Sequence, residues 1–394
     1  MGRFMFVVPP LAGHVNPTLG LGIELLKSGH EVAWVSFDPS LGENIPQGGT
    51  FLLLEPEMTE EEKKQVKIYL NDLKKKTVYG IDSLKFLYEE VLVPMNKAML
   101  DGIKEYIDSY KPDVVINDHQ VFAASVAAIQ KNISYVTSVT APAAIKVNEA
   151  LPMVYRWEEE QVVNFQKEAG IEGNERLDCS SLLTLVYTSR TFFGDYPLPD
   201  NYKFVGPVIN RPYKEIAFDW ERFHSKNDYP KVLITIGTTF DHSLKQNFFD
   251  KVVEAFAGEE LDVILVSDPD LFETVPDNFM ICKQVPQLDL IPHLDAVVCH
   301  AGYNTVSESL SYAVPLVVIP IAYDQSYVAG CVVDSGVGIR LNFNRFKAQQ
   351  LKDAISSLLN EDKYKHNAEA MRASFEETGG MAKSVNYLEN ILKI

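Results

Sequence analysis

The sequence has few cysteines, a shortage of basic residues and no long apolar run. Only four cysteines occur among 394 residues, and no two form a CxxC pair, so neither a disulfide framework nor a zinc ribbon is expected. The 36 Lys and Arg residues are outnumbered by 54 Asp and Glu, which gives a formal net charge of −18. This charge repels phosphate backbones and anionic lipids, so nucleic-acid or membrane-surface binding is not expected as the main function.

No apolar run approaches the roughly 20 residues that a membrane-spanning helix needs. The apolar start at residues 1–10 lacks a secretory-length core and a small-residue cleavage site, so it predicts a buried strand rather than a signal peptide. We therefore expect a cytoplasmic protein without a membrane span. The content of 46% hydrophobic and 23% charged residues is typical of a folded globular chain.

Strand and helix patterns alternate along two successive halves of the chain. In the first half, a strand at 4–8 leads into a helix for which Asn16 is the predicted N-cap and Pro17 the first helical residue. Further strands are predicted at 31–37, 113–117, 134–140, 183–188 and 204–205, and then at 232–236, 262–266, 296–299 and 315–319. This alternation predicts the α/β class with doubly wound parallel sheets.

The composition of the segments predicts the domain organisation. Residues 1–212 form a first Rossmann-like domain, 213–230 a linker, and 231–378 a second Rossmann-like domain. Residues 379–394 form a C-terminal helix expected to pack back on the first domain. The charged stretch at 60–76 is interpreted as a helix with a solvated face. Ligands of such sheets bind beyond the carboxyl ends of the strands, here in the cleft between the two domains.

The segment 285–325 carries the strongest chemical signal. A strand ends at His300, Gly302 allows close approach of the backbone, and Asn304 opens a helix whose free N–H groups suit an anion. Glu308 follows one turn later on the same helix face, where a carboxylate suits a pair of ribose hydroxyls.

A second strand end carries Asp324 and Gln325, which supply both acceptors and donors. Together with the helix N-terminus, these residues match a diphosphate flanked by two polyols. The segment therefore predicts a nucleotide-sugar site.

This segment resembles the donor-binding signature of the inverting nucleotide-sugar glycosyltransferases of the GT-B fold, glycosyltransferase family 1. The nearest group is the bacterial macrolide and flavonoid glycosyltransferases. Four more segments occur in the order and at the spacing of that family, namely GHVNPTL at 13–19, VYTSR at 186–190, FVGP at 204–207 and GT at 237–238. The resemblance covers essentially the whole chain, and it implies two Rossmann-like domains that face a central cleft, with the acceptor bound by the first and the nucleotide sugar by the second.

The resemblance also implies a role for each matching residue of the donor site. The residues are Gly13 and Gly302 as glycines of the site, Thr238 over the phosphates, Val285 and Gln287 at the base, His300, Asn304 and Thr305 at the diphosphate, Glu308 at the ribose, and Asp324 and Gln325 at the sugar hydroxyls.

For the chemical step, the resemblance implies that His14 is the general base and that Asp118 orients it. A hydroxyl is a poor nucleophile at neutral pH, and an imidazole can remove its proton in the transition state. A carboxylate on the other ring nitrogen holds the tautomer and stabilises the imidazolium. Attack opposite the diphosphate inverts the anomeric carbon, while the helix dipole and His300 stabilise the leaving group, so neither a metal nor another cofactor is expected.

Some residues depart from the family pattern. Ala301 stands where a second glycine is usual, Thr305 replaces a serine, and Gly330 replaces an asparagine that commonly contacts phosphate. Asn117 and His119 flank Asp118, so either of them is an alternative to Asp118 as the polar partner of His14.

Two other patterns receive a structural interpretation. Gly20 and Gly22 lack the third glycine of a dinucleotide fingerprint and lie inside a helix. Asp268-Pro-Asp270 resembles a metal-binding DxD motif but is interpreted as a turn. His119, His293 and His366 show no metal-ligand spacing and receive no role.

The expected reaction is transfer of a hexose, glucose from UDP-glucose, to a hydroxyl of a small apolar acceptor by a monomer or weak homodimer. The alternatives are a nucleotide-sugar 2-epimerase-like isomerase, a non-catalytic nucleotide-sugar-binding homologue and a lipid-linked sugar transferase, the last disfavoured by the negative charge. Seven large apolar residues of the first half have two interpretations: they form a wall of the acceptor site, or they are buried in the core. They are Phe37, Tyr79, Phe86, Tyr88, Phe122, Met153 and Trp157.

Overall fold

The computed structural model describes residues 1–55, 81–146, 151–209, 216–225, 228–237 and 242–393. The described residues group into two compact units. Unit 1 contains residues 1–55, 81–146, 151–209 and 375–393, and unit 2 contains the described residues between 216 and 374. The helix predicted at 60–76 lies outside the described residues.

Unit 1 is built on a parallel sheet. Within the described residues its spatial order is β3-β2-β1-β4-β5-β6-β7, and every neighbouring pair is parallel. The strands are β1 (Arg3–Val7), β2 (Glu31–Ser36), β3 (Thr50–Leu53), β4 (Val114–Asp118), β5 (Ser134–Val139), β6 (Thr184–Val186) and β7 (Tyr202–Phe204). The first six positions follow the doubly wound order of a Rossmann-like sheet.

Unit 2 repeats this arrangement. Among its described residues the sheet order is β10-β9-β8-β11-β12-β13, again with parallel neighbours. The strands are β8 (Lys231–Thr235), β9 (Asp262–Val266), β10 (Phe279–Cys282), β11 (Ala296–Cys299), β12 (Leu316–Val318) and β13 (Gly338–Arg340). The two edge strands, β10 and β13, were missed by the sequence patterns because they are short and only partly buried.

Helices connect the strands in both units. The helices are α1 (Ala12–Lys27), α2 (Ile81–Phe86), α3 (Val93–Tyr110), α4 (Phe122–Gln130), α5 (Pro152–Glu168), α6 (Arg190–Phe193), α7 (Trp220–Ser225), α8 (His242–Phe256), α9 (Gln287–Leu290), α10 (Tyr303–Ser311), α11 (Gln325–Asp334), α12 (Ala348–Asn360), α13 (Asp362–Glu376) and α14 (Gly380–Ile391). A π-helical turn (Leu87–Leu92) joins α2 to α3, and short 3-10 turns lie at Pro39–Asn44, Pro142–Ile145, Pro269–Leu271 and Ile291–His293. No described helix is long and apolar enough to cross a membrane.

Both faces of the first sheet are covered. Phe4 and Phe6 of β1 pack with Trp34 in one apolar cluster, whereas Met5 and Val7 belong to a second cluster on the opposite face. A parallel strand that is buried on both faces needs a continuous apolar run rather than an alternating one. This requirement explains why the run at 4–8 predicted a strand.

Helix α1 begins earlier than predicted. It starts at Ala12 instead of Pro17, with Leu11 rather than Asn16 as its N-cap and Pro17 inside the helix. Pro17 is the sixth residue of α1, so the hydrogen bond that its N–H would have donated to the Gly13 carbonyl is missing, which weakens the first turn without ending the helix. Because α1 starts at Ala12, its first turn carries His14.

One glycine of α1, Gly22, serves helix packing. A Cβ atom at Gly22 would lie 2.1 Å from Cζ2 of Trp34, so the helix can approach β2 only if this position has no side chain. The structural interpretation of the glycine pair is therefore confirmed for Gly22. At the other end of unit 1, α14 packs against α1, and its Val385 and Leu388 join the apolar cluster of Phe4.

Part of the segment predicted as a linker packs within unit 2. It contains α7, in which the Phe223 side chain is buried. The Arg222 side chain donates a hydrogen bond from Nη2 to the Phe279 carbonyl at 2.8 Å. Residues 216–225 thus cover the edge of the second sheet beside β10.

The strand order reverses once in each sheet. In unit 1 the reversal lies between β1 and β4, and in unit 2 between β8 and β11. Crevices form at such points because the connections on the two sides run in opposite directions. His14 and Asp118 lie at the first reversal, and Gly237 and His300 lie at the second.

Candidate active site

His14 and Asp118 form a hydrogen-bonded dyad at the strand reversal of unit 1. Nδ1 of His14 lies 3.0 Å from Oδ1 and 2.9 Å from Oδ2 of Asp118. A carboxylate only accepts hydrogen bonds, so Nδ1 carries the proton and Nε2 becomes the ring nitrogen that can accept one. The Asp118 side chain is fully buried, whereas 12% of the His14 side chain is exposed.

Thr140 completes the dyad and was not predicted. Its Oγ1 lies 2.7 Å from Nδ1 of His14 and donates to Oδ2 of Asp118 at 2.9 Å. Oδ1 of Asp118 also accepts from the backbone N–H of Gln120 at 2.9 Å. The two oxygens of Asp118 therefore accept hydrogen bonds from His14, Thr140 and Gln120. These three donors fix the plane of the carboxylate that orients His14.

The electrostatics favour an ionised Asp118. Burial raises the pKa of Asp118, but the neighbouring His14 and His119, together with hydrogen bonds from His14 and Gln120, lower it further than burial raises it. The net pKa lies below its ordinary value. Because the carboxylate keeps its charge at neutral pH, it can stabilise a proton gained by His14.

His119 lies beside the dyad, although its sequence spacing suggested no role. Its ring stacks on that of His14, with centroids 5.6 Å apart and planes at 23°. The ligating atoms of His14, Asp118 and His119 lie within 4.8 Å of one another, as in some metal sites. The Asp118 oxygens already accept bonds from Thr140 and Gln120 as well as His14, so this donor set fits a hydrogen-bonded dyad better than a metal centre.

In unit 2, the imidazole of His300 is enclosed by two glycines. A Cβ atom at Gly302 would lie 2.7 Å from Nε2 of His300, and one at Gly237 would lie 2.9 Å from Cε1. Gly237 also adopts a φ of +77°, which favours glycine. Burial lowers the pKa of His300 to about 4, so its ring is neutral at pH 7 and can donate one hydrogen bond.

Ala301 explains why glycine is usual at its position. Its φ is +64°, in the left-handed region that costs a residue with a Cβ about 1–2 kcal/mol. This backbone conformation turns the chain from β11 into α10, whose N-cap is Gly302. Helix α10 therefore begins shortly after His300, and binding of an anion by its first N–H groups stays a prediction.

Gln287, Thr305 and Glu308 come together although α9 and α10 are separate elements. Nε2 of Gln287 donates to Oε2 of Glu308 at 2.5 Å and lies 3.5 Å from Oγ1 of Thr305. Burial raises the pKa of Glu308 to about 7, an effect that the bond from Gln287 partly opposes. Glu308 thus changes charge near neutral pH. The partly exposed Asn304 precedes Thr305 in the first turn of α10.

Two further predicted donor residues, Asp324 and Gln325, follow β12 in unit 2. Asp324 is the N-cap residue of α11, and the following Gln325 is buried. Oε1 of Gln325 accepts from the backbone N–H groups of Ile321 and Ala322 at 2.8 and 2.9 Å. The carbonyl end of this side chain therefore stabilises its own loop, and the amide end is the part suited to a ligand.

Three predicted residues remain to be placed. Val285 is buried just before α9, and Gly13 lies in the first turn of α1 in unit 1. Thr238 lies outside the described residues. The DxD-like segment is a turn as expected, since Oδ1 of Asp268 accepts from the backbone N–H of Asp270 at 3.1 Å.

A family model described as "UDP-glucoronosyl and UDP-glucosyl transferase" matches residues 178–376 of the 394. The chain belongs to this family. It is a glycosyltransferase, and the family resemblance expected from its sequence motifs is confirmed.

Similar proteins cover nearly the whole length of this glycosyltransferase. It is 26% identical to the NDP-glycosyltransferase YjiC of Bacillus subtilis (strain 168), over 98% of this chain and 96% of that protein. It is 24% identical to the zeaxanthin glucosyltransferase of Pseudescherichia vulneris, over 100% of this chain and 98% of that protein. The crystal structure of the glycosyltransferase VinC in complex with DTDP matches with a TM-score of 0.78 at 18% identity, over 99% of both chains. These matches confirm the expected GT-B fold with two Rossmann-like domains.

The suggested aromatic acceptor wall of the glycosyltransferase consists largely of core residues. Tyr88 and Phe122 are buried in the apolar cluster of Met5, and Trp157 packs against the same cluster. Met153 is 72% exposed, and Tyr79 lies outside the described residues. The missed residues Thr140 and His119 could have been found from the rule that functional groups follow the carboxyl ends of β4 and β5.

Proposed function

We propose that this glycosyltransferase transfers a hexose, glucose from UDP-glucose, to a hydroxyl of a small apolar natural-product-like acceptor, with His14 as general base. The observation that carries the proposal is the dyad, in which a buried, ionised Asp118 holds Nδ1 of His14 at 2.9 Å. A binding protein has no need of a proton acceptor oriented in this way.

The dyad supports a direct displacement. Nε2 of His14 takes the proton of the acceptor hydroxyl as its oxygen forms a bond to the anomeric carbon, and the bond to the diphosphate oxygen breaks. Asp118 stabilises the imidazolium formed in this step. Attack from the face opposite the leaving group inverts the anomeric configuration.

The arrangement in unit 2 supports a nucleoside diphosphate leaving group. The N-terminus of α10 and the adjacent His300 offer neutral donors and a partial positive charge to phosphate oxygens. Glu308 and Gln287 form one polar pair, suited to the ribose hydroxyls and the base. Because these groups stabilise the negative charge of the leaving group, we propose that transfer requires no divalent metal.

The names of the relatives support the substrate classes. Zeaxanthin is named as the substrate of one relative, and that enzyme is named a glucosyltransferase. The proposed acceptor is accordingly an apolar molecule that offers a hydroxyl, and the proposed sugar is glucose. We further propose that the protein acts in the cytoplasm as a monomer or weak homodimer.

The proposal is tested by incubating the purified protein with UDP-glucose and a panel of phenolic, macrolide and carotenoid alcohols, with and without a chelator. Product and UDP are measured by mass spectrometry, and the anomeric configuration by NMR. We expect a β-glucoside from the α-configured donor, undiminished by the chelator and lost in His14→Ala. His366→Ala is the matched control, because His366 is exposed and distant in sequence from every proposed site residue.

Three outcomes would contradict the proposal. Glycoside formation by His14→Ala at the wild-type rate would remove His14 as the base. Conversion of the donor sugar without an acceptor would favour the epimerase-like isomerase. Binding of nucleotide sugars with no turnover of any UDP-, dTDP- or GDP-sugar would favour a non-catalytic homologue.

A further inference from the structure

The imidazole of His119 lies against that of the proposed base, His14. The His119 side chain is only 5% exposed, and neither of its ring nitrogens has a hydrogen-bond partner among the described residues. Its Nδ1 lies 3.5 Å from Oδ1 of Asp118, a contact that is not a hydrogen bond. His119 therefore leaves the carboxylate to His14, and its own contact with the base is the one between the two rings.

The two rings are stacked. Their centroids are 5.6 Å apart, and their planes are inclined by 23°. Aromatic rings attract one another at centroid separations of about 4.5–7 Å. A cation within about 6 Å of a ring centroid is attracted by the electrons of the ring face. The ring of His119 thus lies at a distance at which its face stabilises a positive charge on His14.

The turn after β4 holds His119 in this position. In a straight strand consecutive side chains point to opposite faces, which would direct Asp118 and His119 away from each other. Directly after β4, however, the backbone N–H of Val121 donates to the Asp118 carbonyl at 2.8 Å and closes a turn. The backbone N–H of His119 donates to the Ser138 carbonyl at 3.1 Å, which ties this turn to β5. Two consecutive residues can therefore contact the same imidazole.

The ring of His119 is uncharged at neutral pH. Burial lowers the pKa of His119, and the charge of His14 adds to this decrease, whereas Asp118 and Asp178 oppose it. A charged His119 would repel a positive charge on His14, so the neutral ring is the form that can stabilise it. The other titratable groups near His119 line the same cavity, namely Tyr155, Arg176, Cys179 and Tyr202. Of these, Arg176 is paired with Asp178 through two hydrogen bonds of 2.8 Å.

We propose that His119 is a positioning residue of this glycosyltransferase, whose ring face orients His14 and stabilises the imidazolium that forms on it during transfer. The inference rests on the proposed function, in which His14 takes the proton of the acceptor hydroxyl. Asp118 stabilises that imidazolium at the edge of the ring, through Nδ1, and His119 stabilises it at the face. Two consecutive residues thus support the base from different directions.

Three substitutions separate the ring face of His119 from the size and the polarity of its side chain. His119→Phe keeps an aromatic face, His119→Leu keeps apolar bulk without a face, and His119→Gln keeps polar atoms without a face. The larger ring of phenylalanine has room, because His119 borders a cavity of about 130 Å³. His366→Leu is the matched control, because His366 is exposed. A thermal unfolding curve checks that each variant is folded.

The first readout is the pKa of His14, measured by NMR of the Cε1–H signal in the full-length protein and assigned by loss of that signal in His14→Gln. A cation–π contact between buried groups corresponds to about 0.7–1.5 pH units. The pKa of His14 should be lower by this amount in His119→Leu and His119→Gln than in His119→Phe. This measurement requires neither an acceptor nor turnover.

The second readout is the kinetics of glucoside formation. The same contact corresponds to roughly 5- to 30-fold in rate, so kcat should be lower by this factor in His119→Leu and His119→Gln than in His119→Phe. UDP-glucose affinity should be the same in all variants, because His119 belongs to unit 1 and the proposed donor residues around α10 to unit 2. If the wild-type protein transfers no sugar, the proposed function fails, while the pKa of His14 still decides whether the contact stabilises the imidazolium.

Three outcomes would overturn the inference. An equal pKa of His14 in all three variants would show that the ring face contributes nothing. A higher pKa and a higher kcat in His119→Gln than in His119→Phe would assign the effect to a polar contact with Asp118. A difference in pKa without a difference in kcat would show that the contact does not act in the transfer step. If His119→Leu does not fold, the comparison of His119→Phe with His119→Gln gives the same decision.

Discussion

The substitution Asp118→Asn removes one charge from the proposed active site while preserving its shape. Asp118 is fully buried, and its oxygens accept from Nδ1 of His14, Oγ1 of Thr140 and the backbone N–H of Gln120. The amide can keep the bond from Gln120 through its oxygen. Its NH₂ group then faces His14 and donates to Nδ1, which places the ring proton on Nε2.

Two effects lower the rate, and their sizes can be estimated. Loss of a charge-assisted hydrogen bond to the imidazolium costs about 1.5–3 kcal/mol, or roughly 10- to 150-fold in rate. The wrong tautomer adds to this, and the corresponding change in a serine protease triad lowers kcat by about 10⁴-fold. We expect kcat to fall by roughly 10²- to 10⁴-fold.

The assay is steady-state glucoside formation, combined with calorimetric measurement of UDP-glucose affinity and a thermal unfolding curve. Donor affinity should be unchanged, because Asp118 belongs to unit 1 and the proposed donor residues around α10 to unit 2. Asp101→Asn is the matched control, since the Asp101 side chain is 91% exposed and its ion pair with Lys104 contributes little. A folded Asp118→Asn protein that keeps more than about a third of the wild-type kcat would refute the dyad.

Three further predictions concern packing and the donor site. Gly22→Ala should lower the free energy of unfolding by about 1–3 kcal/mol in a denaturant titration, because its Cβ would lie 2.1 Å from Trp34. Gly302→Ala should weaken UDP-glucose binding in calorimetry. The added Cβ would lie 2.7 Å from Nε2 of His300 and would displace the imidazole. UDP-glucose affinity should rise with pH between about pH 5.5 and about pH 8.5, because Glu308 has a pKa of about 7 and its ionised form accepts hydrogen bonds from ribose hydroxyls more strongly than the protonated form.

Each of these predictions has a control. Gly330→Ala should stabilise α11 by about 0.5–1 kcal/mol, because nothing lies within 4 Å of the added Cβ. Normal stability of Gly22→Ala or normal donor affinity of Gly302→Ala would contradict the packing argument. In Glu308→Gln the pH dependence of binding should disappear. A dependence that persists in this variant would assign the titration to another group.

The amino-acid sequence determined the strands at the centre of each sheet. The runs at β1, β9 and β11 are continuous and apolar because both faces of these strands are buried. The apolar patterns of β10 and β13 were too weak to predict strands, because these edge strands are short and partly exposed. The sequence also placed the start of α1 wrongly at Pro17, because proline prefers a first helical position, whereas the backbone N–H groups of His14 and Val15 already donate to the Leu11 carbonyl.

The sequence also supplied the site residues that follow those central strands, since chain order alone places them at carboxyl ends. The family resemblance already implied that Asp118 orients His14, whereas only the tertiary structure showed that Thr140 joins this pair. His14 and Asp118 are 104 positions apart, and Thr140 reaches both of them from the neighbouring β5. Gln287 of α9 and Glu308 of α10 likewise meet only in the folded chain, and no local pattern encodes their pairing. Parallel strands align their carboxyl ends at one edge, so local patterns determine what stands at that edge, and strand order decides which groups become neighbours.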